Sequence, residues 1–301
     1  MAKRLNFQDR VVLITGGGQG IGAELVRETL ARGGIPIVVE YNPEREADIR
    51  AAIGNQGSVH IADVRDRAAM ENIVDDIVAR FGRLDVVIAN AGIEGFGPVW
   101  AMPAKDFEAV VEINVLGAYR SIQPALPHVI AAGGHVLTIS SIAGLVAQPI
   151  GSAYSTSKAA VDMMMRCFRM DLLDTGASAS AAYFGIIPTA MGNEVNANPV
   201  MAGAVKALPT RLLGVTPPPS AAEAAKKIMD GIERRKARIY APWMVRSTYL
   251  IRGFLAQMDD FQSRTLMGLP KLIKQHYGEP PRPTPSDGPG GGAEDKAGAA
   301  S

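Results

Sequence analysis

The amino-acid sequence predicts an α/β protein built on one doubly wound sheet of about seven parallel strands, with helices on both faces. The chain has 301 residues, of which 47% are hydrophobic and 20% charged, so it can bury a full-sized core. Short runs rich in valine and isoleucine alternate with longer helical patterns. Because these runs are apolar throughout, their strands are expected to be buried on both faces, as in a parallel sheet.

The alternation continues along most of the chain. Strands are predicted at Val11–Thr15, Ile35–Glu40, residues 58–62, 84–90 and 135–140, Ser178–Phe184 and Arg238–Ala241. Helices are predicted at residues 21–32, 43–53, Arg67–Phe81, 103–130, 152 to about 174, and 221–235. Gly33, Gly82 and Gly133 stand where a helix is expected to end, since glycine adopts the backbone conformation needed there.

The pattern changes after the sixth strand. Residues 191–219 mix Asn, Pro and Gly with isolated apolar residues, which indicates a mobile excursion with short helices that carries substrate contacts. Residues 244–277 are helical but irregular, and 280–301 have the composition of a disordered tail. We therefore expect one catalytic domain over residues 1–242, a helical extension over 243–279 and a tail over 280–301.

Composition argues against several classes of function. Thirty-one basic residues balance thirty acidic ones, so no global field attracts nucleic acid or an anionic membrane. Cys167 is the only cysteine and the four histidines show no ligand spacing, so neither a disulfide nor a metal site is expected. No apolar run reaches the length of a membrane span. Residues 1–10 lack a signal-peptide pattern, which favours the cytoplasm.

A glycine-rich turn follows the first predicted strand and opens a helix. Its residues are Gly16, Gly18, Gln19, Gly20, Ile21 and Gly22. Glycines let the backbone approach a pyrophosphate, whose charge lies favourably at the helix N-terminus. A glycine turn by itself is also compatible with simple turn chemistry. The position between a strand and a helix favours a Rossmann-like dinucleotide site.

Glu40, at the end of the second strand, favours NAD over NADP. A carboxylate there accepts hydrogen bonds from the two ribose hydroxyls and repels a 2′-phosphate. Tyr41 and Asn42 follow, and neither offers the cation that a 2′-phosphate needs. The alternative is that Glu40 is a solvated acid at the end of a strand.

Tyr154 and Lys158 are candidate catalytic residues. They lie one helical turn apart, so both side chains project from one face of the same helix. Proton transfer near neutral pH requires the tyrosine pKa to fall from about 10 to near 7, and Lys158 with a charged nicotinamide would lower it. Ser141 ends the fifth strand, where its hydroxyl can bind a carbonyl or a developing alkoxide. A Tyr and a Lys at this spacing also occur on helix surfaces without any function.

These motifs together resemble the short-chain dehydrogenase/reductase family, in its shorter classical form, over residues 6–241. The matching positions are residues 15–22, Asp63, Asn90, Ala91, Gly92, Asn114, Ser141, Tyr154 and Lys158. The resemblance implies that Tyr154 is the general acid/base, that Lys158 holds the nicotinamide ribose and lowers the tyrosine pKa, and that Ser141 polarises the carbonyl. It also implies that Asn114 supports a water-linked proton path; the alternative is a helix-kinking residue.

The resemblance implies further contacts with the cofactor. The residues concerned are Asp63, Val64, Asn90, Ala91, Gly92, Gly185, Ile187 and Thr189. Asp63 would contact the adenine, residues 90–92 would form the floor under the adenine ribose, and Thr189 would bind the carboxamide. Phe184 departs from the family pattern, because an aromatic ring replaces a proline and puts the wall of the nicotinamide pocket in doubt.

The segments expected to line the pocket are mostly apolar. They are residues 93–96, 142–149 and the excursion, in which Lys206 is the cation. A hydrophobic alcohol or ketone is therefore favoured over a phosphorylated or carboxylate substrate. Two other classes are weighed against this function. A non-catalytic NAD-binding regulatory protein would tolerate loss of the tyrosine or lysine, and a nucleotide-sugar epimerase or dehydratase needs a longer substrate domain.

Two surfaces suggest partners. The helix that carries Met163 packs against another subunit in the family, so the resemblance implies a homotetramer or homodimer. The extension from Trp243 mixes apolar residues with Arg246 and Arg252. A segment of this kind can cap the active site, contact a neighbouring subunit or lie on an anionic membrane, and the first two are favoured.

Overall fold

The computed structural model describes residues 4–207, 218–266 and 268–281, and within them seven strands form one sheet. The strands are β1 (Val11–Thr15), β2 (Ile35–Glu40), β3 (Ser58–Ile61), β4 (Val86–Ala89), β5 (His135–Ile139), β6 (Ser178–Phe184) and β7 (Arg238–Ala241). Their spatial order is β3-β2-β1-β4-β5-β6-β7, and every pairing is parallel. The predicted single-domain, doubly wound fold is confirmed.

Helices cover both faces of the sheet. They are α1 (Gly20–Ala31), α2 (Glu46–Ile53), α3 (Arg67–Phe81), α4 (Ala104–Val111), α5 (Ala118–Ile122), α6 (Leu126–Ala131), α7 (Ser152–Asp171), α8 (Ala190–Ala197), α9 (Pro199–Ala207), α10 (Ala221–Glu233), α11 (Met244–Ala256), α12 (Asp259–Phe261) and α13 (Leu269–Tyr277). Buried apolar residues of α1 and α10 pack in one core cluster, and those of α3 and α7 in another. With both faces covered, β1 and β4 are buried at every position, which explains the apolar runs at residues 11–14 and 86–89.

The single long helix predicted over residues 103–130 is wrong. The chain forms α4, then a π-helical segment at Glu112–Gly117, then α5 and α6. Pro124 has no amide hydrogen to continue the helical hydrogen bonds, and α5 ends at Ile122. Pro127 is tolerated because it lies in the first turn of α6.

Parallel pairing brings the loops after four strands to one edge of the sheet. The glycine turn follows β1, residues 90–92 follow β4, Ser141 follows β5 and Gly185 follows β6. The strand order reverses between β1 and β4, and ligands of open α/β sheets bind outside the carboxyl ends of strands at such a point. The fold thus places the predicted site residues around one crevice.

The C-terminal extension packs in two places. Val245 and Tyr249 of α11 are buried in the main core, where the ring of Tyr249 lies 5.6 Å from that of Tyr183. Leu269 of α13 packs with residues of α8 and α9 in a third, smaller cluster. Among the described residues, no helix is long and apolar enough to cross a membrane. Residues 208–217 of the predicted excursion and 282–301 of the predicted tail lie outside the described ranges.

We expect Tyr249→Ala to destabilise the protein by about 3 kcal/mol, because a buried aromatic side chain is removed from a packed core. Phe254→Ala is the matched control on the same helix: Phe254 is 64% exposed and Tyr249 7%, so the control should change stability by no more than about 0.5 kcal/mol. Urea denaturation followed by circular dichroism measures both. Equal effects would show that α11 is not part of the folded core.

Candidate active site

Close backbone approaches shape the glycine turn after β1. A Cβ on Gly22 would lie 2.0 Å from the carbonyl oxygen of Gly16, and a Cβ on Gly16 would lie 3.0 Å from the Cα of Ala91. Gly16 also has a φ of 65°, which glycine adopts without strain. Gln19 precedes α1 without capping it through its side chain, so the first amide groups of the helix stay available to a ligand. Bare backbone at an open helix N-terminus fits a pyrophosphate.

The end of β4 holds this turn in place. The Thr15 hydroxyl oxygen accepts hydrogen bonds from the amides of Asn90 and Ala91, each at 3.1 Å. The Asn90 side chain donates to the carbonyl oxygens of Thr15 and Gly16, each at 3.0 Å. Asn90 therefore joins β4 to β1 and supports the turn from its own side of the crevice.

Glu40 is engaged on both carboxylate oxygens. One oxygen accepts the amide of Gly18 at 2.9 Å, and the other accepts the amide of Asn42 at 3.1 Å and the Arg45 guanidinium at 3.2 Å. The carboxylate thus lies against the glycine turn, where a ribose would reach it. Arg45 is a cation at the same place, which the analysis of the sequence missed because it considered only the two residues after Glu40.

Asp63 and Val64 follow β3. The Asp63 carboxylate accepts two hydrogen bonds from Arg65, at 2.6 and 2.8 Å, and this pairing holds the pKa of the carboxyl below its usual range. Val64 is buried and packs against the π-helical segment, where a Cβ on Gly117 would lie 2.6 Å from its Cγ2. Val64 therefore joins the end of β3 to the π-helical segment that carries Asn114.

Tyr154 and Lys158 lie buried on α7, facing the end of β5. The Lys158 ammonium donates to the carbonyl oxygen of Ile139 at 2.9 Å and lies 5.3 Å from the centre of the Tyr154 ring. The Ser140 hydroxyl donates to the carbonyl oxygen of Lys158 at 2.9 Å and so ties α7 to the strand. Ser141 follows, and its hydroxyl lowers the pKa of the Tyr154 phenol through a side-chain interaction. The three predicted catalytic side chains are brought together.

Asn114 lies in the π-helical segment and contacts two other elements. Its side chain accepts the amide of Ile93 at 2.8 Å and donates to the Ile93 carbonyl oxygen at 2.9 Å. It also donates to the Ser157 hydroxyl at 3.0 Å, and Ser157 donates to the carbonyl oxygen of Tyr154 at 2.8 Å. Local π-helical geometry is common at functional sites. Ser157 was missed because a serine inside a helix gives no signal until its neighbours are known.

Burial is the largest cause of the pKa shifts of Tyr154 and Lys158 on α7. It raises the pKa of Tyr154 far above 10, the Glu94 carboxylate raises it further, and the Ser141 hydroxyl lowers it. Burial also lowers the pKa of Lys158 to about 8, while Glu94 acts in the opposite direction. The phenol is therefore neutral near pH 7 in the protein itself, which is the form that can donate a proton.

Glu94 is a partly buried acidic residue on the loop that follows β4. Burial raises its pKa to about 7, Lys158 opposes that rise and Glu194 adds to it. Its Oε2 atom is buried and has no hydrogen-bond partner among the described residues. Glu94 lies in a segment that was predicted to line the pocket, but no role was predicted for it. The position of an acid between Ile93 and Gly95 is a feature of the sequence that could have indicated one.

The segment after β6 lies close to the glycine turn. Thr189 caps α8, and its methyl carbon lies 3.3 Å from where a Cβ on Gly20 would be. Ile187 is buried and Gly185 is partly exposed between it and the strand. Phe184 is 3% exposed in the core cluster of α1 and α10. The aromatic ring that replaces the expected proline therefore contributes to the core.

Comparison with known proteins identifies this arrangement. The short chain dehydrogenase family model matches residues 10–200. The chain belongs to the short-chain dehydrogenase family. It is an oxidoreductase of alcohol- or ketone-type substrates. Among the described residues, no group of three His, Cys, Asp or Glu side chains is arranged to hold a metal ion.

Individual relatives match more than half of the chain. A versicolorin reductase of Emericella nidulans is 36% identical over 187 residues, which are 60% of this chain and 70% of that protein. A 1,2-dihydroxy-1,2-dihydronaphthalene dehydrogenase of a Ralstonia species is 37% identical over 172 residues, 56% and 66% of the two chains. A short chain dehydrogenase/reductase of Burkholderia phymatum, solved in complex with NAD, has a TM-score of 0.72 at 22% identity and covers 86% of this chain and 96% of that one. The last comparison shows the fold.

We expect Glu94→Gln to stabilise the protein in a pH-dependent manner. Folding raises the Glu94 pKa from 4.5 to about 7, so the folded state holds a proton that the unfolded state loses as the pH rises through this range. The unmutated protein should therefore lose stability between about pH 4.5 and 7 relative to the variant. The charged and titratable groups that act on Glu94 are Lys158, Tyr154 and Glu194.

The difference between the two pKa values corresponds to about 3 kcal/mol, and partial solvent exposure of the side chain reduces our expectation to about 2 kcal/mol. Urea denaturation of both proteins at pH 5 and pH 7.5 measures the change. A stability difference that is the same at the two pH values would contradict the burial of this carboxylate.

Proposed function

We propose that the protein is an NAD(H)-dependent oxidoreductase that interconverts a secondary alcohol and a ketone on a hydrophobic substrate. The observation that carries this proposal is the meeting of Tyr154, Lys158 and Ser141 at the sheet edge beside the open N-terminus of α1. A regulatory NAD-binding protein would not require this arrangement of buried side chains.

The chain offers a continuous surface for the dinucleotide. The glycine turn and the first turn of α1 would hold the pyrophosphate, Glu40 the adenine ribose, and Asp63 with Val64 the adenine end. Asn90, Ala91 and Gly92 would lie beneath the adenine ribose, while Gly185, Ile187 and Thr189 would surround the nicotinamide. When bound, the nicotinamide accepts or supplies the hydride. The solved relative in complex with NAD supports this choice of cofactor.

The protein side chains would handle the proton. In the direction of reduction, the neutral phenol of Tyr154 donates its proton to the carbonyl oxygen while the Ser141 hydroxyl bonds the same oxygen. Lys158 uses one of its three N–H donors on the Ile139 carbonyl, which leaves two for the ribose and for water. Asn114 fixes the backbone of Ile93 opposite this lysine and would support a water path to solvent.

A hydrophobic substrate is supported by the cluster beside the site. Phe96 packs with Ile150 and with Val195, Val200 and Met201 of the two helices that follow β6. A homodimer or homotetramer in the cytoplasm is also part of the proposal. It is supported by apolar side chains of α7 that stay exposed, since Met163 is 52% and Met170 70% exposed.

Tyr154→Phe should lower turnover by about 100- to 10,000-fold, because it removes only the hydroxyl that transfers the proton. NADH binding should persist, since the ring and its packing are retained. Tyr119→Phe, which removes a hydroxyl outside the site, is the matched control. Steady-state turnover and NADH fluorescence titration measure the two properties. A Tyr154→Phe enzyme with unchanged turnover would refute this mechanism.

The unmutated protein should bind NAD(H) more tightly than NADP(H), and Glu40→Ala should reduce that preference by on the order of tenfold, about 1.4 kcal/mol. Arg45→Ala is the paired variant: loss of this cation should weaken any NADP(H) binding and leave the NAD(H) preference in place. Calorimetric dissociation constants for all four cofactor forms provide the measurement. Equal constants for NADH and NADPH in the unmutated protein would contradict the assignment of Glu40.

A further inference from the structure

The loop after β4 holds Glu94 in a fixed position. On one side, Ile93 is bonded through both its amide and its carbonyl to the side chain of Asn114, at 2.8 and 2.9 Å. On the other side, the amide of Gly97 donates to the carbonyl oxygen of Ile150 at 2.8 Å. Glu94 is therefore carried on a short segment that is anchored at both ends, so its position does not depend on a flexible loop.

The Glu94 carboxylate has no structural role that explains its burial. Its Oε2 atom is buried and lacks a hydrogen-bond partner among the described residues. The Lys158 ammonium acts on it electrostatically but donates its hydrogen bond to the carbonyl of Ile139. Buried polar atoms of folded proteins are nearly always bonded, and an exception at a ligand site indicates a group that the ligand satisfies.

The surroundings of Glu94 limit what that ligand group can be. Glu94 is two residues from Gly92, where a Cβ would lie 3.6 Å from the Lys158 Nζ atom, and it acts electrostatically on both Tyr154 and Lys158. The loop therefore carries Glu94 next to the two side chains that would hold the reacting carbon. A carboxylate or phosphate would be repelled by Glu94, and an ammonium group would meet the cation of Lys158. A neutral hydroxyl can donate to the carboxylate without either penalty.

We propose that Glu94 is a substrate-binding residue whose carboxylate accepts a hydrogen bond from a second hydroxyl group of the substrate, next to the carbon that is oxidised or reduced. The inference rests on the proposed function and narrows it: the substrate is a diol or hydroxyketone on an apolar frame rather than a simple alcohol. The buried acceptor supplies the specificity, because an analogue without the hydroxyl leaves it unpaired.

The test uses two probes that differ in one hydroxyl, 1-indanol and 1,2-indanediol as a mixture of its stereoisomers. Their dissociation constants are measured by calorimetry for the full chain saturated with NADH, a complex in which an alcohol cannot react. Turnover is then measured with NAD⁺. The unmutated protein should prefer the diol by about 10- to 100-fold.

Three variants locate the origin of this preference. Glu94→Leu should abolish it, whereas Glu94→Gln should retain part of it because the amide oxygen still accepts a hydrogen bond. Glu194→Gln removes a neighbouring acid that is exposed to solvent, so the preference should persist. Circular dichroism checks that each variant is folded. If Glu94→Leu does not fold, Glu94→Gln still tests the proposal.

An equal ratio of dissociation constants in the unmutated and Glu94→Leu proteins overturns the proposal, as does an unmutated protein that does not bind the diol more tightly than 1-indanol. Tight binding of the diol that depends on Glu94, without turnover of either probe, supports the hydroxyl site and contradicts the proposed NAD(H)-dependent reaction on hydrophobic secondary alcohols. Failure of the proposed hydroxyl site and failure of the proposed function therefore give different experimental results.

Discussion

The reversal of strand order between β1 and β4 is the constraint on which the site depends. Both strands run in the same direction, yet their connections leave in opposite directions along the sheet, so a crevice opens where the two loops separate. Asn90 and Thr15 bond across this crevice and fix the glycine turn against the end of β4. The glycine turn of the proposed cofactor site is thereby held between β1 and β4.

The same edge of the sheet brings together ionisable groups that are buried or partly buried. Tyr154, Lys158 and Glu94 are each shifted by burial toward their neutral forms, and each acts electrostatically on another member of the set. Protonation of one group therefore changes the others. In the mechanism that we propose, this coupling would connect proton transfer by Tyr154 to substrate binding by Glu94, since the acid that influences the tyrosine is also the proposed acceptor for a substrate hydroxyl.

Much of the fold could be predicted because its signals are local. Uniformly apolar strands, helix-ending glycines and the Tyr-to-Lys spacing each depend on residues a few positions apart, and the strands β1, β2, β6 and β7 have the predicted bounds. The long helix over residues 103–130 was predicted wrongly, since the apolar periodicity was given more weight than Pro124. The roles of the candidate site residues remain proposals, although the geometry brings Ser141, Tyr154 and Lys158 together.

The sequence by itself determined the sheet and the glycine turn, because short-range steric rules and periodicity leave few alternatives for such segments. The type of chemistry was implied by the resemblance of several motifs to one family. Only the tertiary structure decided which distant side chains meet. Arg45 reaches Glu40, and Ser157 links Asn114 to Tyr154. The Oε2 atom of Glu94 has no hydrogen-bond partner among the described residues, and Lys158 acts on its carboxylate electrostatically. Burial and pairing depend on elements far apart in the chain, so the pKa of an acid and the partner of a cation are properties of the packed molecule.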